Sequence, residues 1–66
     1  MTLIVSGAER EFATAVKISA LIEQLALDAR GVAVAVNDEV VRRTVWHERE
    51  LREGDRVEIV RAVQGG

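Results

Sequence analysis

Apolar side chains recur at helical spacing most clearly in one stretch of this 66-residue chain. Ile18, Leu21, Ile22, Leu25 and Ala29 fall at i, i+3, i+4, i+7 and i+11, the pattern of one buried helical face. Ser19, Glu23 and Gln24 occupy the other faces. A single helix cannot bury its own stripe, so it needs a sheet to lie on. The start of the helix is open by about two residues, with Ser19, Lys17 and Thr14 as candidate boundaries. Gly31 fits the left-handed position just past the end, and Arg30 stands in the last turn, where the helix dipole favours a cation.

The flanking segments supply that sheet. Leu3-Ile4-Val5 reads as a short buried strand. Ser6-Gly7-Ala8-Glu9 carries turn chemistry, and Arg10 to Ala13 returns as the second strand of a hairpin. Val32-Ala33-Val34-Ala35-Val36 alternates with period two, placing its valines on the packed face and its alanines where something can lie close on the other. Asn37-Asp38-Glu39 is a turn, and Val40-Val41 begins another strand. Arg42 to Arg52 is charged and reads as loop or one helical turn, pinned by Val45, Trp46 and Leu51. Glu53-Gly54-Asp55 is a second tight turn. Arg56 to Val63 is the last strand, with Val57, Ile59 and Val63 as its candidate inward residues. The expected architecture is α+β, a mixed sheet packed on one amphipathic helix. Residues 1–63 make the domain, and 64–66 are a flexible tail.

Composition narrows the chemistry. Hydrophobic residues are 48% and charged residues 30%, which is globular rather than disordered composition. So short a chain commits most of its apolar residues to one core and has little left for a deep catalytic pocket. With no cysteine and one histidine, disulfides, a cysteine nucleophile and a zinc site of the Cys/His type are excluded. The net charge of −2, without a basic stripe, argues against nucleic acid. No apolar run approaches the ~20 residues of a membrane span, and the first residues lack the pattern of a signal peptide, so a cytoplasmic protein is expected.

The chain passes from a well-patterned strand into Gln64-Gly65-Gly66. Two glycines add no buried area and lose much backbone entropy on ordering. One reading is a frayed end. The other makes the carboxylate of Gly66 the reactive group. Gln64, Gly65 and Gly66 would reach roughly 10 Å, at about 3.3–3.6 Å per residue, and thread a narrow channel in another protein. A carboxylate must first be activated, for example as an acyl adenylate. The chain has no phosphate-cradling loop, so the activating machinery belongs to a partner.

Together these segments resemble the ThiS family, small sulfur carriers of the β-grasp, ubiquitin-like superfamily. The resemblance rests on Ile18 to Leu25, Val34-Ala35-Val36-Asn37 with Val40-Val41 and Trp46, Leu51 through Glu53-Gly54-Asp55-Arg56-Val57-Glu58-Ile59, and Val63-Gln64-Gly65-Gly66. It implies that an E1-like adenylyltransferase, using ATP and Mg²⁺, adenylates Gly66. A sulfur-donating relay, such as a cysteine desulfurase, then makes the thiocarboxylate. Thiazole synthase takes that sulfur for the thiazole ring of thiamin. This chain departs from the family in lacking proline near Val41-Arg42-Arg43 and in having Gln64 where many members have alanine.

No catalytic or metal-ligating set is expected within the chain, which is read as a non-enzyme. His47, in the charged stretch Trp46 to Glu50, reads as a surface group, and Trp46 as a half-buried anchor for its loop. Val60 and Ala62 should face away from the helix, sharing that side with Ile4, Ala33 and Ala35. They are either ordinary exposed residues or a docking patch of Ile4, Val60 and Ala62 for the activating enzyme. Two other functions fit the same residues: a carrier for molybdopterin or another sulfur pathway, or a β-grasp interaction module of the TGS type that has no need of a free Gly-Gly carboxylate.

Overall fold

The computed structural model describes residues 1–61. Two hairpins frame its main sheet. β1 (Thr2–Val5) and β2 (Ala8–Glu11) pair antiparallel, with Val5 opposite Ala8. The turn between them is the dipeptide Ser6-Gly7, with φ of 50° and 83°. Positive φ at both positions gives the turn that matches the twist of the flanking strands. The second strand therefore begins at Ala8 rather than Arg10, and Ala13 lies beyond it. β2 is exposed along its whole length, so no hydrophobic alternation marked it.

β3 (Val16–Lys17) leads directly into α1 (Ile18–Gln24), which buries Ile18, Leu21 and Ile22. No side chain caps the helix start. Backbone carbonyls of a distant loop do so instead: Ile18 N donates to Arg49 O at 3.1 Å, and Ser19 N to Trp46 O at 3.2 Å.

The helix is shorter than its periodicity suggests. Ala26 takes φ of 57° and ends it. Ala26 N donates to Glu23 O at 2.9 Å, and Leu27 N to Ile22 O at 3.2 Å, the paired closure of a Schellman motif. The left-handed residue is thus Ala26, not Gly31. Ala29 and Gly31 belong to a separate 3-10 turn, Ala29–Gly31, whose entry is capped by Asp28 accepting from Arg30 N.

β4 (Val32–Val36) and β5 (Glu39–Val41) form the second hairpin. Its turn is Asn37-Asp38, with φ of 50° and 72°. After a 3-10 turn, Arg43–Val45, comes β6 (Glu50–Leu51), which pairs antiparallel with β3 in a small second sheet. β7 (Arg56–Arg61) then enters the middle of the main sheet, whose order is β2-β1-β7-β4-β5. It runs parallel to β1 and antiparallel to β4.

The core lies between this sheet and α1. Leu3, Ile18, Leu21, Leu51, Val34, Val36 and Val57 are its fully buried members. Trp46 is buried at 3% exposure, not half-buried, and its Nε1 donates to Val41 O at 2.8 Å. That bond makes burial of the indole affordable. Val45 is exposed and pins nothing, whereas Trp46 and Leu51 hold the segment as expected. Val63 and the boundary between domain and tail lie outside the described residues.

Candidate functional site

The reacting group expected from the sequence, Gly66, lies outside the described residues, as do Gly65, Gln64 and Ala62. What the structure does place is the strand that leads toward them. β7 pairs with β4 from Val57 to Arg61, and with β1 at Arg56 and Val57. Its inner face contributes Val57 and Ile59 to the core side, and its outer face carries Arg56, Glu58 and Val60.

The outer face follows from the register. Val60 lies opposite Ala33, Glu58 opposite Ala35, and Ala35 opposite Val40. Val60 is 63% exposed and Val40 79% exposed. Ile4 is on the same face, since its neighbours Leu3 and Val5 point into the core. It sits beside Arg56, however, about 13 Å along β7 from Val60 at ~3.3 Å per residue. The structure therefore puts Ile4 and Val60 on one face without bringing them together. The continuous apolar strip runs from Val60 over Ala33 and Ala35 to Val40.

Val40 was absent from the residues singled out by sequence. Val40 and Val41 are adjacent valines, and nothing in the pair itself says which one points inward. The two-residue turn at Asn37-Asp38 decides it, because that turn sets Val40 against Ala35 on the outer face.

Ion pairs near this surface are few. Arg56 Nη2 lies 3.0 Å from Asp38 Oδ2, across the ends of β7 and β4. Arg30 contacts Asp28 at 3.3 Å, and its hydrogen bonds hold the Asp28 carboxyl below the usual carboxylate range. His47 is exposed beside Glu48 at 3.5 Å. Among the described residues, no group of three or more His, Cys, Asp or Glu side chains is placed to hold a metal ion. Nor is any helix there long and apolar enough to cross a membrane.

Comparison with known proteins connects this geometry to a family. The model of the ThiS family matches residues 3–66, a span that includes the terminal glycines. A thiazole synthase of Paramagnetospirillum magneticum is 36% identical over 66 residues, which are 100% of this chain and 20% of that protein. The chain thus spans only a small part of that relative. A sulfur carrier protein ThiS of Thermus thermophilus is 39% identical over 46 residues, 70% of this chain and 72% of that one. The crystal structure of a thiamine biosynthesis protein, ThiS, from Geobacter metallireducens matches with a TM-score of 0.87 and 28% identity, covering 100% of both chains. A solution structure of a thiamine biosynthesis protein from the same organism matches with a TM-score of 0.82 and 29% identity, covering 100% of this chain and 88% of that one.

Proposed function

The chain belongs to the ThiS family and has its β-grasp fold, and from that premise we propose that it is a sulfur carrier of thiamine biosynthesis whose reactive group is the carboxylate of Gly66. The observation that carries this reading is the family match, which runs through Gly66 rather than stopping at the folded domain.

The chemistry divides between carrier and partners. A Gly66 carboxylate oxygen attacks the α-phosphate of ATP in the site of an adenylyltransferase that uses Mg²⁺, and pyrophosphate leaves. The outer sulfur of a persulfide on the donating relay then displaces AMP to give an acyl disulfide, and a thiol of the relay attacks the inner sulfur, forming a disulfide there and releasing the terminal thiocarboxylate. The chemistry of these steps is assigned to the partners, because the sequence carries no glycine-rich loop leading into a helix to cradle phosphates. The chain's own contribution is a rigid strand that presents a side-chain-free terminus, and an outer sheet face on which an activating enzyme can rest. The absence of cysteine means that no internal thiol competes for the activated acyl group. Thiazole synthase is the proposed acceptor. The relative of that name contains a segment similar to this chain over its full length, which supports the pairing.

The test is intact mass after incubation with ATP, Mg²⁺, an adenylyltransferase of this family and a cysteine-fed sulfur source. Exchange of oxygen for sulfur adds roughly 16 Da, and fragmentation should place the gain on Gly66. A chain extended by one alanine after Gly66 should show no gain. The reading fails if the unextended protein gains no mass while a control carrier does.

A further inference from the structure

The early end of α1 has a consequence on the side of the sheet opposite the docking strip. Because the helix stops at Gln24, it does not roof the inner face as far as the end of β7. Ile59 and Val32 point inward yet remain only partly buried. Between this sheet end and the loop after the helix runs a groove of about 280 Å³. Val5, Leu25, Leu27 and Ile59 give it an apolar floor, and Arg10 and Arg61 stand on it. A second hollow of about 280 Å³ adjoins it, sharing Leu27 and Arg61.

The two arginines are the unusual part. Arg10 lies opposite Leu3 and Arg61 opposite Val32, so both belong to the inner side of the sheet, where the other strands place valine and leucine. Both are exposed, and among the described residues neither makes an ion pair. Asp28 lines the adjoining hollow, but its carboxylate is already taken up by Arg30. What sets this pair apart from the other arginines is its place, two cations on the apolar inner side of the sheet at one groove, where a carboxylate with an aliphatic neighbour finds both charge and apolar surface.

We propose that this groove receives an acidic, aliphatic segment of the protein that acts on the tail, its apolar side chains on the leucine and isoleucine floor and its carboxylates on Arg10 and Arg61. The proposal rests on the reading of Gly66 as a group handled by a partner. Arg61 precedes Gly66 by five residues, a span of at most about 18 Å. A protein enclosing Gly66 therefore lies within reach of the groove. Guanidinium forks grip carboxylates through two parallel hydrogen bonds, which gives orientation as well as attraction. Together with the outer strip, the partner would hold the root of the tail from both faces of the sheet.

The experiment measures binding of the full chain to the ATP-dependent adenylyltransferase by calorimetry, and the concentration dependence of adenylation. Arg10→Glu with Arg61→Glu should weaken binding about tenfold or more and raise KM alike, with kcat within about twofold, the pattern of lost charged contacts at an interface. Arg10→Lys with Arg61→Lys should retain part of the affinity, because the charge stays and the fork is lost. Arg42→Glu with Arg52→Glu makes the same charge change outside the groove and should leave KM within about twofold. Amide spectra of each variant should overlay on the parent away from the changed positions. Equal effects of the two charge reversals would overturn the proposal. So would a shift in the carrier's own sedimentation on reversal at Arg10 and Arg61, which would make the occupant a second copy. If the parent binds but is not adenylated, the function proposed for Gly66 fails while the binding comparison still decides the groove. If the parent does not bind at all, both fall.

Discussion

The side chain of Asn37 bridges to Asp55, with Nδ2 donating to Asp55 Oδ1 at 3.0 Å. The same amide accepts from Arg56 N at 2.9 Å, and Asp55 Oδ2 accepts from Arg52 N at 2.8 Å. One side chain thus ties the turn between β4 and β5 to the turn that launches β7. Asn37→Gly keeps the positive φ and removes the bridge, and should cost about 1 kcal/mol. Asn37→Ala adds left-handed strain of roughly 1–2 kcal/mol, so alanine should be the less stable of the two. Urea unfolding of both variants gives the order directly.

Ala26 occupies the left-handed position of the Schellman motif, where glycine is the usual residue. Ala26→Gly relieves that strain at some cost in unfolded-chain entropy, with a net gain of about 1 kcal/mol expected. In a domain of this size that raises Tm by about 4–8 °C, readable by calorimetry. A drop in Tm would mean that the helix does not end there.

Trp46→Phe removes the indole donor to Val41 O, a carbonyl that the β4–β5 ladder also pairs, and leaves a void in the core. A loss of about 1–3 kcal/mol is expected from the missing hydrogen bond and the missing ring together. Thermal unfolding followed by circular dichroism measures it without relying on indole fluorescence, which the variant lacks.

Asp28 binds a proton more weakly in the folded chain than in the unfolded one, because Arg30 hydrogen-bonds its charged form. The unfolded state therefore takes up more protons in acid, and the contribution is present at neutral pH and lost as pH falls through the lowered pKa. The stability gap between the parent and Asp28→Asn should close below about pH 3.9. Both side chains are exposed, so the gap at neutral pH should be small and should shrink with added salt. A gap that persists unchanged to pH 2 would contradict this.

Val40 and Val60 are exposed and contribute little to the core. Val60→Asp and Val40→Asp should each leave Tm within about 2 °C, as surface changes do. Each should lower the rate of thiocarboxylate formation at limiting carrier by about tenfold if the outer strip docks the activating enzyme. Ile4→Asp, at the far end of the face, should have a smaller effect on that rate.

Turns were the most legible part of the fold. Asn and Asp tolerate left-handed backbone, and the structure has it at Asn37 and Asp38; the turns expected at Ser6-Gly7 and around Gly54 are there as well. Alternation in Val32 to Val36 correctly sorted the valines from the alanines. The helix end was misread for a physical reason. Leu25 and Ala29 continue the apolar spacing, and no glycine marks the stop at Ala26. At the stop the chain closes with the two Schellman hydrogen bonds from Ala26 N and Leu27 N, and Leu25 and Leu27 on either side of Ala26 pack partly buried against the core. β3 and β6 are two residues each and owe their existence to one another, so no local pattern could show them. At the site, the sequence pointed to the terminal glycines and to Val60. It did not point to Arg10, because an arginine on an exposed strand looks like any solvated charge until the register sets it inward.

The position of β7 bears on how the carrier withstands force. A partner that draws the segment beyond Arg61 into a channel would pull lengthwise on a strand paired from Val57 to Arg61 with an antiparallel neighbour and, at Arg56 and Val57, with a parallel one. Under such a load these ladders are sheared as a group, instead of being peeled apart one hydrogen bond after another. Traction along β7 is thereby spread over several hydrogen bonds at once, the direction in which a sheet yields least readily.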